Sequence, residues 1–590
     1  MNLPRKRSSG DEEAKPLLTR RQWLEKAPVC ALAMTAGAGL LPLHAEAPGK
    51  TKAASEDLGA RVYNVREFGA KGDGKALDTA ALQAAIDACN HDGGGTVLVP
   101  AGTFQIGTVE LKSNVTLHIA AAGKLLGTTD GTKYHAVDAI PLRGDTTLND
   151  GNWALLFAVE AKNVTVEGPG TIDGQGFQFH SPVRGQTPPS GIGGAKRPYH
   201  ILAYRCENFS VRSIDLLDCA YHSIRIIQSK RVHMDGIYIH SRVNSNNDGF
   251  HFISAQYVTV TNCIVLAQDD ACALFGSCQN VTVTNCVFST RWSVFRFGGG
   301  SARNIAVSNC VLTRVYGCPI KFQGNPGSSY ENMSFSNLVL DDVTGPIHVG
   351  VGPRPQRQAP PGTPPAAVNN DVSTGAPPGT TTPAVLRNIS FSNIHGTVTT
   401  DPPQIPEALI TSNSNPGEKH SCITFNCVGG ATLENVSLSD INLTFGGGGT
   451  AEDGARRDLP QSAGEYFMLG PMPAYGLYAR GVHGLTVQNV RFRVATADLR
   501  PAVILDGVSD AAINGLSVEG NTQAESVMRF INTQQVLVTA ARVTTPASTF
   551  LQVEGAESAR IVVDGGDISY ASKAVVHTGG ASDSAVKHRA

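Results

Sequence analysis

Tyr257-Val-Thr-Val-Thr-Asn262-Cys263, Asn280-Val-Thr-Val-Thr-Asn285-Cys286 and Asn304-Ile-Ala-Val-Ser-Asn309-Cys310 are three copies of one segment, recurring at intervals of 23 and 24 residues. Within each copy apolar and small polar residues alternate, the period of a strand with one buried face. Weaker copies follow at Asn332-Met-Ser-Phe-Ser-Asn337, Asn388-Ile-Ser-Phe-Ser-Asn393, Asn435-Val-Ser-Leu-Ser-Asp440 and Leu485-Thr-Val-Gln-Asn489. Earlier ones stand at Asn163-Val-Thr-Val166 and Asn208-Phe-Ser-Val211. Strands that return so often leave no room for a helix between them. The architecture with that period is a parallel β-helix, in which short strands joined by turns wind around an apolar interior. Leucine-rich repeats share the period but need a Leu ladder, which is missing. The fold class is therefore all-β, a solenoid forming one domain over residues 60–580.

On this reading Cys263, Cys286 and Cys310 occupy equivalent positions on successive coils and form an inward ladder of thiols. A solenoid exposes its last rung and needs a cover. Between Asp78 and Asn90, Leu82, Ala85, Ile86 and Cys89 fall at helical spacing after an Asp cap, and Gly93-Gly94-Gly95 stops the helix. This predicts a short N-terminal capping helix. Pro, Gly and Thr crowd residues 351–383, and the repeat resumes at Leu386, as expected of a long loop inserted between coils. The stretch Gly464-Glu-Tyr-Phe-Met-Leu-Gly-Pro-Met-Pro-Ala-Tyr-Gly-Leu-Tyr-Ala-Arg480 contains several aromatics and a Glu; of a loop folding toward a cleft and packing against the last coils its composition favours the packing, and no site is assigned to it.

The composition agrees. Sixty-three Gly against three Trp and seven Met suits tight turns and short strands better than helix bundles. With 17% charged residues and a formal net charge of -2, the chain has no general attraction to polyanions, and nucleic acid is not an expected partner. Thr19-Arg20-Arg21-Gln22-Trp23-Leu24 precedes a weakly apolar stretch from Ala27 to Leu43, with small residues at Ala45 and Ala47. Residues 1–47 thus read as a twin-arginine export signal, with a periplasmic or extracellular mature protein. The stretch is short for a bilayer, which needs roughly 20 apolar residues. Val29 stands before Cys30 where a lipoprotein signal has a small residue, so neither a membrane anchor nor a lipid anchor is expected. Removing Cys30 leaves eleven of the twelve Cys, and an odd number guarantees an unpaired thiol.

The chemistry is carried by Asn246-Asn247-Asp248-Gly249 and Gln268-Asp269-Asp270. Asp248 and Asp270 are 22 residues apart, almost one coil, so they fall on neighbouring rungs of one face. Adjacent strand residues point to opposite faces, which places Asp269 and Asp270 where strand meets turn. Three carboxylates gathered there repel one another and raise the proton affinity of at least one. One protonated and one ionised carboxyl is the division of labour that cleavage of a glycosidic bond requires.

At these residues the chain resembles the polygalacturonase family of glycoside hydrolases (glycoside hydrolase family 28), which are right-handed parallel β-helices acting on pectin. The resemblance runs from Tyr63-Asn-Val-Arg-Glu-Phe-Gly-Ala-Lys-Gly-Asp-Gly74 through Gly93-Gly-Gly-Thr-Val-Leu-Val-Pro-Ala-Gly-Thr-Phe104 to about Asn393. The family's Asn-Thr-Asp matches Asn246-Asn247-Asp248 with Asn for Thr, and its Asp-Asp matches Asp269-Asp270 after Gln268 instead of Gly. The resemblance implies that Asp269 is the general acid. It also implies that Asp248 and Asp270 position and deprotonate the attacking water, with inversion at the anomeric carbon. It brings in no cofactor and no metal, a polysaccharide as the partner, and a monomer.

Two departures bear on the substrate. Where the family has Gly-His-Gly the chain reads Thr290-Arg291-Trp292-Ser293-Val294-Phe295-Arg296, without His, and its Arg-Ile-Lys appears as Pro319-Ile320-Lys321. Lys321 and Asn246 are candidates for holding the sugar, Arg291 and Arg296 for the missing cation, and Trp292 for a place on a sugar ring or in ordinary packing. The altered substrate side leaves open a uronate- or rhamnose-containing polymer other than homogalacturonan. A Ca²⁺-dependent polysaccharide lyase and a noncatalytic glycan-binding solenoid share the fold and stay open beside hydrolysis.

Overall fold

The strand Gln256–Thr261 buries Val258 and Val260 and turns Thr259 outward. Asn262 then swings the chain around at φ 57, a left-handed conformation that Asn adopts more readily than other residues bearing a side chain. Cys263 follows into the core. The same turn recurs at Asn285 (φ 56) and Asn309 (φ 55), which is why each copy of the repeat ends in Asn. The first Asn of the copies is left-handed too, and these side chains bond from coil to coil. Asn304 Nδ2 donates to Asn280 Oδ1 at 3.1 Å, Asn332 to Asn304 at 3.3 Å and Asn388 to Asn332 at 3.1 Å.

These coils come from a computed structural model, which describes residues 61–135, 152–179, 197–353, 381–405, 407–408 and 415–589. The expected export signal (1–47) lies outside the described residues, as does residue range 354–380 of the expected insertion. On either side of that insertion Ser329–Val343 and Val385–Val398 pair directly, Tyr330 opposite Leu386. One coil contributes three strands, for example Phe250–Ile253, Gln256–Thr261 and Ile264–Ala267. Among the described residues the first strands stack in a parallel sheet of 15 strands; the second and third, joined in later coils into single bent strands such as Ser301–Val315, build another of 27. The chain is a parallel β-helix. Its interior is one continuous apolar cluster running from Tyr63 to Val563, with Phe335 and Phe391 stacked at 5.4 Å between coils.

Helix α1 (Thr79–His91) covers the first coils and buries Leu82, Ala85, Ile86 and Cys89, the four residues its spacing predicts. Asp78 does not cap it with its side chain. The carboxylate turns back instead to accept from Lys71 N at 2.7 Å and Gly72 N at 3.0 Å, so it fixes the loop before the helix. The eleven described cysteines are all buried free thiols, and Cys263, Cys286 and Cys310 form the expected ladder, Cys263 N lying 3.5 Å from Cys286 Sγ. Among the described residues no helix is long and apolar enough to cross a membrane.

Six consecutive strands of the 15-stranded sheet carry the site: β1 (Ile224–Ile227), β2 (Phe250–Ile253), β3 (Cys272–Phe275), β4 (Phe295–Gly298), β5 (Ile320–Gly324) and β6 (Ile347–Val351). Ile224, Phe250, Cys272, Phe295, Ile320 and Ile347 lie in register and point into the core. By alternation the next residue of each strand faces outward. That row reads Arg225, His251, Ala273, Arg296, Lys321, His348.

Candidate active site

Each acidic residue is positioned by the turn that precedes its strand. Asn246 is left-handed (φ 56), and the fully buried Asn247 clamps the turn with four bonds. Its amide donates to Cys219 O at 2.8 Å and Tyr221 O at 2.9 Å, and its carbonyl accepts from Val243 N at 3.1 Å and Asn244 N at 2.7 Å. Asp248 is thereby set two residues before Phe250 of β2. Asp270 stands two before Cys272 of β3, the position expected from the 22-residue interval, and Gly249 N donates to Asp270 O at 3.0 Å. Asp269 lies in the turn, where its Oδ1 accepts from Asp270 N at 2.8 Å and its Oδ2 faces Asn246 Nδ2 at 3.4 Å. The three carboxylates predicted from sequence come together.

Their surroundings differ. Asp248 and Asp270 are buried, whereas Asp269 keeps partial access to solvent. Asp270 Oδ2 accepts from Arg296 Nη1 at 2.9 Å, and Ser293 N reaches Asp270 Oδ1 at 3.3 Å. Of the two cations considered for this site, Arg296 is the one that occupies it. Burial, then the Asp248 and Asp270 charges, raise the Asp269 carboxyl well above the usual range, with Arg296 opposing. Burial, then Asp270, raise Asp248 as well. Asp248 and Asp269, close to each other and to the Asp270 carboxylate, do not readily ionise together.

Two histidines went unread in the sequence. His251 Nδ1 lies 2.7 Å from Asp248 Oδ2, and His222 Nε2 lies 3.6 Å from the same oxygen. Their rings stack at 4.4 Å, tilted by 13°. His222 precedes Asp248 by 26 residues, again about one coil, so the same arithmetic finds it. Burial, then the charges of His251, Arg225 and Arg197, drive its proton affinity well below the ordinary imidazole range. Among the described residues, His222, Asp248 and His251 are the one group whose donor atoms come close enough to hold a metal, all within 4.8 Å. A metal lies in the plane of an imidazole that ligates it. Two nearly parallel planes do not meet near either ring, so the arrangement suits two stacked supports for Asp248 better than two ligands of one ion.

The remaining candidates separate. Lys321 sits on β5 directly beside Arg296 of β4, but its Nζ donates to Glu465 Oε2 at 2.8 Å and lies 5.7 Å from the Trp292 ring centre. Glu465 belongs to the stretch whose composition favours packing and to which the sequence assigns no site, and it reaches Arg296 Nη2 at 3.6 Å as well. Arg291 points elsewhere: its guanidinium bonds the fully buried Glu418 at 3.0 and 3.3 Å and Tyr316 O at 2.9 Å. Asn246 stays at the site, its Oδ1 3.4 Å from the Arg197 guanidinium. Trp292 is half-buried, with Phe467 at 6.0 Å on one side.

The chain is thus a parallel β-helix with a carboxylate cluster on one face of its coils. The family described as Glycosyl hydrolases family 28 matches residues 89–431, more than half of the chain, which belongs to that family. The chain is 28% identical over 253 residues to an exo-poly-alpha-D-galacturonosidase of Dickeya chrysanthemi, across 36% of this chain and 41% of that protein. It is 25% identical over 400 residues to a polygalacturonase of Prunus persica, across 65% of this chain and 86% of that one. It thus spans less than half the length of the Dickeya relative. Among solved structures, a family 28 exopolygalacturonase of Yersinia enterocolitica aligns with TM-score 0.49 and 20% identity, over 84% of this chain and 78% of that one.

Proposed function

We propose that this chain is an exported glycoside hydrolase that cleaves galacturonate-containing polysaccharide of the pectic class with inversion. The observation that carries the reading is the division among Asp248, Asp269 and Asp270: Asp269 is raised in proton affinity and reachable from solvent, beside the buried Asp248, also raised and set against His251, and the buried Asp270 bonded to Arg296. Asp269 gives its proton to the glycosidic oxygen as the bond from that oxygen to the anomeric carbon breaks. A water attacks that carbon from the opposite side, and its proton passes to the Asp248 and Asp270 pair. Asn246 orients the acid through its amide. Membership of the family supports the chemistry, and the twin-arginine segment supports export.

Product analysis tests this reading. Incubation with pectic polymers is expected to release reducing ends without any product absorbing in the ultraviolet, and a chelator is expected to leave the rate unchanged. An unsaturated, absorbing product abolished by chelation would instead establish a metal-dependent lyase. Saturable binding with no product at all would establish a glycan-binding solenoid.

A further inference from the structure

The substrate side of this site contains a carboxylate of its own. Glu465 stands between Lys321 Nζ at 2.8 Å and Arg296 Nη2 at 3.6 Å, and Arg296 Nη1 is already bonded to Asp270 at 2.9 Å. Two cations thus face two carboxylates, and the group is neutral as built. The Lys321 side chain is only 1% exposed, whereas those of Arg296 and Glu465 are 22% and 19% exposed, so the surface shown to a ligand is the outer edge of a completed ion pair.

Glu465 is held there from both sides along the chain. The buried Tyr466 exchanges a bond with Thr344 Oγ1 at 2.8 Å, His348 Nε2 lies 3.2 Å from Gly464 O, and Ala463 N donates to Pro353 O at 2.8 Å. Burial pushes His348 down to about 4, so it adds no charge near neutral pH. Burial opposes ionisation of Glu465, but Lys321 and Arg296 outweigh it and keep the carboxyl well below the usual range. Glu465 is a fixed counter-ion, not a mobile lid.

We infer that the sugar seated against Trp292, Arg296 and Glu465, beside Asp269, is one without an ionised carboxylate: a neutral sugar unit, or a uronate masked as its ester. An ionised uronate there would be a third carboxylate facing the same two cations, next to Asp248 and Asp269, whose ionised forms are already disfavoured. The hydroxyls of an uncharged sugar bond to the edge of the ion pair without that repulsion, and Trp292 offers part of an aromatic face. This specificity rests on the same placement of sugar beside Asp269 as the hydrolase reading.

Calorimetric binding of trigalacturonate and of its full methyl ester separates the possibilities, because esterification removes each carboxylate charge and adds only a methyl group. The proteins are Asp269→Asn, to prevent turnover, and Asp269→Asn/Glu465→Gln. Asp269→Asn is expected to bind the ester about tenfold more tightly than the acid, and adding Glu465→Gln is expected to move the ratio toward the acid by a similar factor as the Lys321 charge is released. Tighter binding of the acid by Asp269→Asn, a ratio unmoved by Glu465→Gln, or binding of neither oligomer would overturn the inference. The first comparison needs no change at Glu465, so it stands even where the double variant does not fold. Turnover of both oligomers by the unaltered protein keeps the two readings apart. Ester-preferring binding without hydrolysis removes the hydrolase reading alone, and hydrolysis with preference for the acid removes the neutral subsite alone.

Discussion

Replacing Asp269 by Asn is expected to lower kcat on a cleaved polymer by about 10²–10⁴-fold, the usual contribution of a positioned general acid. An amide keeps the shape of the side chain and can still accept from Asp270 N, as Asp269 Oδ1 does at 2.8 Å. What it lacks is the transferable proton. The substitution also removes one of three mutually repelling carboxyl groups, so thermal stability is expected to hold or rise slightly. Substrate affinity should change little, because the role proposed for Asp269 is toward the leaving oxygen and not toward the sugar's binding groups. Steady-state kinetics beside a thermal melt separates these outcomes. A large loss of kcat with an unchanged melt places the residue in the chemistry; an unchanged kcat removes Asp269 from it.

The second large effect is expected at Arg296. Its guanidinium is the cation bonded to Asp270 at 2.9 Å, and the Asp270 side chain is only 3% exposed. Breaking a buried pair from one side leaves an uncompensated charge and costs about 3–5 kcal/mol. Arg296→Met keeps the apolar stem over the Phe275 ring, whose centre lies 5.2 Å from the guanidinium carbon, so the loss would report charge more than packing. The deficit is expected to shrink as pH falls, because protonating the cluster removes the charge that Arg296 balanced. Arg296 also lowers the proton affinities of Asp248 and Asp269. Without it both rise, the acid stays protonated and the base stays blocked to higher pH, and both limbs of the pH–rate profile move upward. Urea unfolding at two pH values and a pH–rate profile check the two halves. Arg296→Met/Asp270→Asn should recover most of the stability and little of the rate.

What the sequence disclosed, and what it hid, divides along the repeat. Residues within coils obey its arithmetic. The Asn-Cys copies specify the strands, and the interval from Asp248 to Asp270 puts them on adjacent rungs. Arg296, 26 residues after Asp270, obeys the same rule and is indeed its partner. His222 obeyed it unread. Residues in the loops between coils do not, because loop length varies without affecting the ladder. Glu465 meets Lys321 across 144 positions and Glu418 meets Arg291 across 127, and no periodicity connects either pair. For that reason Lys321 reads from sequence as a group for sugars and proves to be paired internally. Asp78 departs for a local reason: two amides of the Lys71-Gly72 turn lie within its reach and take the carboxylate from the helix end.

Two carboxyl roles on adjacent coils are expected to drive a single displacement by water. Time-resolved proton NMR of the first products from an α-linked galacturonan, before mutarotation, observes that event directly. A saturated reducing end that first appears as the β anomer is expected; a first-formed α anomer, or an unsaturated product, would rule out inverting hydrolysis.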